Sequence, residues 1–317
     1  MGWAAANDWS TPTTLARGGD VMQVQLDEQA DSLFVALRVP WGVVLRAPEG
    51  SFLQRLATAL EIRGTVHWGG WMDGPIEVWH KVFAYNDFNR PDFPRNEIHV
   101  SLHPEGSASP VQVDQPTFAF GDVVLRNQLL LWQGGEPLTE GGPVRAGVSL
   151  RLDLKIPTGS LQRLGGSGGF DTGIGLLGTW QPLPWLVGHA IVSGSYLSPM
   201  ASSMPMQPRS WQGSVGLSLV ALVGEWSFLL EDRWLSPAFQ WGWAYANPSD
   251  IWTMQSSAYT AVTMSQNQIT AGVRWGPLTF WFMEDFTPGY VPGYGPTWFY
   301  DTNAPDVAIG LTLTVQP

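Results

Sequence analysis

The feature that most constrains this chain is a two-residue alternation held over nine to thirteen residues and repeated along its length. Across 145–156 the even positions read Ala146, Val148, Leu150, Leu152, Leu154 and Ile156, while the odd positions read Arg145, Gly147, Ser149, Arg151, Asp153 and Lys155. Successive side chains of a strand point to opposite faces, so all the charges fall on one side and all the aliphatics on the other. The pattern returns with Leu33, Val35, Leu37, Val39, Trp41, Val43 and Leu45 opposite Arg38 and Gly42. It returns again with Leu60, Ile62, Val66 and Trp68 opposite Glu61, Arg63, Thr65 and His67. Val123, Leu125, Leu129 and Leu131 oppose Asp122, Arg126 and Gln128; Trp226, Phe228 and Leu230 oppose Glu225, Ser227, Glu231 and Arg233. Ile269, Ala271, Val273 and Trp275 oppose Gln268, Thr270 and Arg274, and Val307 to Val315 oppose Thr312 and Thr314.

A soluble β-sandwich alternates too, but its strands run to about five or six residues. Strands of nine to thirteen are what a tilted membrane crossing needs. Composition agrees: charged residues make up 14%, against roughly 25% in a soluble domain. Trp132, Trp180, Trp185, Trp226 and Trp275 stand at strand ends beside short connections, where a membrane interface selects aromatic girdles. No run approaches the length of apolar residues that a transmembrane helix requires. The expected fold is therefore all-β: a single antiparallel up-and-down transmembrane barrel over 1–317, surrounded by lipids of a bacterial outer membrane. Residues 1–10 lack the basic and apolar regions of a signal peptide, so a leader is expected to have preceded Met1.

Loop lengths give a count. Bacterial barrels join strands by short inner turns and long outer loops. Working back from 306–316, the connections 287–305, 236–266, 198–210 and 158–169 read as outer, and 276, 224, 182–184 and 135–142 as inner. One long outer excursion, 69–116, follows three strands near 20–28, 32–47 and 57–68. The total is about 12. In the excursion, Asp73-Gly74-Pro75-Ile76-Glu77 reads as a helix start, and Ile76, Trp79, His80 and Phe83 follow at helical spacing. A segment of that length is expected to fold into the barrel mouth as a partial plug, with Asp73, Glu77, Trp79 and His80 as its candidate residues.

Two segments carry a resemblance. The first holds Gly121-Asp122, Leu125-Arg126, then Leu154-Lys155-Ile156-Pro157-Thr158-Gly159-Ser160 and Gly166-Ser167-Gly168-Gly169-Phe170-Asp171; the second holds Gly70, Met72-Asp73, Ile76-Glu77, His80 and Phe83. Together they resemble an uncharacterised bacterial family of outer-membrane barrels, a domain of unknown function. The Pro-Thr-Gly-Ser and Gly-Ser-Gly portions are also similar to outer-membrane proteins of aromatic meta-cleavage operons. The resemblance implies fold and location, and no activity. Barrels of this kind usually end on an aromatic residue, whereas this chain ends Thr314-Val315-Gln316-Pro317.

Motifs for chemistry are weak. Gly165-Gly166-Ser167-Gly168-Gly169 fits the hydrolase elbow pattern, but the elbow needs a helix after it and here two strands flank it. Glu77 and His80 stand three apart, as in some metal sites, yet no second such pair exists, so neither metal nor cofactor is expected. His67, His99, His103 and His189 share no ligand spacing. A lipid hydrolase on the outer wall would need His189 on a lipid face. The net charge of −11 and the absence of a basic run exclude nucleic acid as a partner.

The polar faces say more. Arg38, Glu61, Arg63, Arg126, Arg151, Asp153, Lys155, Glu231, Arg233 and Arg274 are all expected to line the lumen, paired or wetted, because isolated burial would be prohibitive. Three functions are open. The first is a narrow or partly plugged channel for small or hydrophobic solutes. The second is a structural or assembly subunit with a closed lumen, and the third a lipid-modifying enzyme. The aromatic stretch 290–300 is a candidate contact for a protein partner.

Overall fold

The computed structural model describes residues 2–17, 20–83, 95–98, 100–104, 111–136, 138, 145–198, 210–236, 266–285, 289–291, 295–297 and 307–314. Twelve of the described strands form the wall: β1 (Gly2–Arg17), β2 (Asp20–Pro40), β3 (Leu56–Trp68), β4 (Val123–Gly134), β5 (Ala146–Ile156) and β6 (Asp171–Leu183), then β7 (Leu186–Tyr196), β8 (Trp211–Val223), β9 (Trp226–Leu235), β10 (Gln266–Trp275), β11 (Leu278–Asp285) and β12 (Val307–Leu313). Each pairs antiparallel with its neighbours in chain order. β12 then pairs with β1, Leu311 facing Trp3 and Ile309 facing Ala5, so the ladder runs round to where it began.

The register carries one alternation face unbroken around this ring. Leu217 faces Ala190, Ala221 faces Phe228, Phe228 faces Val273, Val273 faces Phe280, and Phe280 faces Leu311; the one charge the register puts on this face of β9 is Asp232, near its long-loop end. Leu217, Phe228, Phe280 and Leu311 are all highly exposed, as are Leu37, Ile62 and Leu176. An apolar face turned outward is the inverse of a soluble core, and it is what a lipid-facing wall requires. The opposite face is the lumen.

Aromatics cap this outer face at both ends. Trp132, Trp180, Trp185, Trp226 and Trp275 are exposed beside the short turns, with Trp226 and Trp275 stacked at 6.1 Å. Tyr196 and Trp211, edge to face at 5.5 Å, and Trp234 stand at the other end. Trp226 and Trp234 are eight residues apart on β9. That is about 20 Å along the axis for a strand tilted by roughly 40°, close to a membrane's apolar band.

The strand total agrees with the loop-parity count, but the first two boundaries differ. One continuous strand, β2, replaces the expected 20–28 and 32–47, and β1 precedes it. Pro40 ends β2, and the alternating Trp41, Val43 and Leu45 wind into a single helical turn with Leu45 N–H donating to the Trp41 carbonyl (3.0 Å). Alternation alone could not distinguish these, because a one-turn helix is shorter than the pattern's resolving length. The outer part of the β1–β2 hairpin overreaches the wall, and 100–104 of the excursion pairs with it.

The excursion contains the expected helix, Asp73–Phe83, in a different place. Met72 and Ile76, each only 2% exposed, form a buried pair against Phe282 and Ile309. Trp79 meets Phe282 at 5.1 Å between ring centres. Phe282 and Ile309 lie on the outward face with Phe280 and Leu311. The helix therefore docks on the outside of the wall at its long-loop end and does not plug the mouth. An Ile–Met–Trp ridge buries apolar area against the apolar outer wall. Asp73 accepts the Asn96 N–H (2.7 Å) and Glu77 pairs with Arg95, which ties the helix to residues 95–98. The side chain of His80 lies outside the described residues, as do most of 198–210 and 236–266. The stretch 290–300 is described only as a backbone hairpin, 289–291 pairing with 295–297.

Candidate functional site

The lumen face holds its charges at three levels. At the long-loop mouth the wall has a seam. Residues 117–120 pair with the upper half of β3 and β4 pairs with the lower half, leaving Gly121 and Asp122 outside the ladder. Gly121 N–H donates to the Arg63 carbonyl (2.8 Å). The 158–169 loop is pinned into this seam. Thr158 Oγ1 accepts the Val123 N–H (3.0 Å) and donates to the Gly121 carbonyl (3.2 Å). Asp122, 5% exposed, accepts the N–H groups of Gly159 (2.8 Å) and Ser167 (3.3 Å) and pairs with Lys155 Nζ (3.3 Å). Lys155 also pairs with Asp171 and donates to Ser167 Oγ. Side chains at Gly159, Gly165 or Gly166 would collide with the Gly165 carbonyl, the Phe120 carbonyl and the Asp122 carboxylate respectively. Three short motifs, scattered over fifty residues of sequence, are one latch in space. Ser167 belongs to that latch, and the strand β6 follows it instead of the helix a hydrolase elbow needs.

At the middle level carboxylates hold arginines. Glu61 holds Arg126 (2.9 Å) and Arg63 (3.5 Å), and Arg151 is doubly bonded to Asp153 (2.6 and 2.8 Å). Glu231 and Arg233 stand on β9, four strands further round. A single cavity of about 530 Å³ is lined by Arg126 and Arg151 from one side and by Glu231 and Arg233 from the other. Residues of β6, β7 and β8 complete the lining, so this level, the eyelet, is bounded by six consecutive strands, half of the ring. Arg233 Nε is buried with no hydrogen-bond partner among the described residues. His189 also lines the eyelet, its Nδ1 hydrogen-bonded to Thr179 Oγ1 (2.9 Å), and just beyond it Ser193 and Ser214 share a hydroxyl hydrogen bond (2.6 Å).

At the short-turn end, Arg274 donates to the Gly276 carbonyl (2.8 Å) beside Glu225 and Ser227, and Arg38 lies exposed on the inward face of β2. The structure thus spreads the sequence-derived lumen residues over three levels and does not join them in one network. Lys155 belongs to the mouth with Asp122 and Asp171, away from Arg151 and Asp153. Trp79, Asp73 and Glu77 lie on the outer wall. Sequence reasoning missed His189, whose strand carries small and apolar residues on both faces. Only the register opposite Thr179 and Ser218 assigns it to the lumen. That position also removes it from any lipid-facing catalytic pair.

Among solved structures, the chain is similar to an outer membrane channel of Pseudomonas putida F1 at 10% identity and a TM-score of 0.45, covering 98% of this chain and 92% of that one. It is also similar to the transport unit of the autotransporter AIDA-I of Escherichia coli (10% identity, TM-score 0.39, 99% and 90% covered). A third is the outer membrane channel DcaP of Acinetobacter baumannii (10%, 0.31, 98% and 93%). No curated protein matches the sequence. The seam motif and the docked helix, which the fold separates into inner-face latch and outer-face ridge, both fall within 49–254, the residues matched by a family profile; the chain belongs to that family, described as a protein of unknown function, DUF3187.

Proposed function

We propose that this protein is a narrow channel of the bacterial outer membrane. The observation that carries the reading is the eyelet. A cavity of about 530 Å³ runs along the inner face of β4 to β9 at the level of Arg126, Arg151 and Arg233, so the lumen there is not filled by side chains as it is in the smallest barrels. A ring of fixed charge in a narrow pore selects among solutes by field and by hydrogen bonding.

A second reading has its own support. Glu61–Arg126, Arg151–Asp153 and Lys155–Asp171 are paired, as in a lumen held shut for structural or assembly purposes. Single-channel recording of purified protein in a planar bilayer separates the two. Discrete ionic steps are expected, with selectivity shifted toward cations in an Arg151→Gln/Lys155→Gln protein that remains folded. A folded barrel without steps, destabilised by the same double substitution, defeats the channel and leaves the structural role.

A further inference from the structure

The eyelet has two chemically different surfaces. One is cationic. Arg126 and Arg151 line the cavity, whereas their carboxylate partners, Glu61 and Asp153, do not, which leaves Glu231 as the one acidic lining residue among those described. The other surface is aliphatic. Leu177 and Ile191 are register partners on β6 and β7, and Ile191 lies over Gly216, where a Cβ would press against its Cγ2 at 2.9 Å. Beyond Gly216 comes the stem of Arg233, its register partner, with Leu229 on the same face of β9. The result is an apolar strip across β6–β9 with Arg151 and Arg126 at one edge and Arg233 at the other.

From this juxtaposition, and resting on the channel reading above, we propose that the eyelet is a selectivity site for an organic carboxylate with an apolar body. The carboxylate takes a forked pair of N–H donors from Arg233, whose Nε has no described partner, or from the lumen side of Arg151. The hydrocarbon body lies along Leu177, Ile191 and Leu229. An inorganic anion satisfies only the guanidinium edge. A neutral analogue satisfies only the strip.

The test is block of the single-channel current at fixed chloride by benzoate, acetate and benzyl alcohol. Benzoate is expected to act at a concentration at least tenfold below that of acetate, and benzyl alcohol to have no effect. Ile191→Thr should bring benzoate within about threefold of acetate while leaving acetate unchanged, because it shortens only the strip. Arg233→Gln should weaken both acids about tenfold, with Arg233→Lys as the check that loss of the fork, and not of the fold, is responsible. Equal potency of benzoate and acetate, or block by benzyl alcohol, overturns the proposal while the channel stands. If a folded barrel shows no steps at all, the channel reading fails by itself. Calorimetric titration of the solubilised barrel with benzoate then decides the site. Binding abolished by Arg233→Gln retains it, and no binding overturns it.

Discussion

Removing the Asp122 carboxylate should open the 158–169 loop without unfolding the wall. In the native protein this side chain accepts two backbone N–H groups, from Gly159 at 2.8 Å and Ser167 at 3.3 Å, and faces Lys155 at 3.3 Å. A hydrogen bond to a charged acceptor contributes about 1.5–3 kcal/mol, and the longer one belongs at or below the lower end. Lys155 keeps Asp171 as a partner, so the ion pair adds little to the loss. Asp122→Ala therefore lowers the free energy of local opening by about 3 kcal/mol, which is roughly 150-fold in the opening equilibrium at 1.4 kcal/mol per factor of ten. Amide hydrogen exchange of peptides covering 157–170 reads this directly, since exchange through local opening follows that equilibrium. The β8–β9 ladder, remote from the seam, serves as the internal control and should not change. Asp122→Asn keeps one oxygen acceptor but loses the charge, so about half the effect is expected. Exchange in 157–170 within about threefold of the unmodified protein would refute the latch, as would equal acceleration in β8 and β9.

Gly159→Ala should give a similar local opening from the other side of the seam, because its Cβ would meet the Gly165 carbonyl backbone, which has no flexible end to move. On the wall, Leu219→Arg, whose register partners Gly188 and Leu230 carry no charge, should destabilise the folded barrel in urea titration by about 2–4 kcal/mol, as a charge at mid-membrane on the lipid face does; an effect below about 0.5 kcal/mol would mean the faces are exchanged. Ile76→Ala, at the buried ridge of the helix Asp73–Phe83, should cost about 2–5 kcal/mol of docking and expose 69–98 to protease. Insensitivity of that segment would argue against its packing on Phe282 and Ile309. Cysteines introduced at 210 should react with impermeant thiol reagents on intact cells and those at 183 and 276 should not.

How far the sequence went is clear from particular residues. Leu152 against Arg151, and Phe228 against Ser227, are assigned to wall and lumen by period alone, since a strand has two faces and a membrane tolerates charge on only one. The same rule makes the count of twelve legible, because loop length alternates with side. It could not see that Trp41, Val43 and Leu45 curl into a helical turn after Pro40, since apolar residues at positions i, i+2 and i+4 fit a short coil as well as a strand.

What period cannot supply is which residues meet across the ring. Arg151 and Asp153 are neighbours on one face in any reading. That Asp122 belongs with Lys155 and Asp171, and that Arg233 faces the cavity shared with Arg126, depends on strand stagger and barrel closure. The helix shows the same limit. Its amphipathic ridge was evident from Ile76, Trp79, His80 and Phe83, but a ridge states only that apolar cover is needed. The wall's outward face, with Phe282 and Ile309 more than two hundred residues later, supplies that cover. Sequence fixed the faces because side-chain direction is local. Tertiary structure chose the partners because contact across a lumen is not.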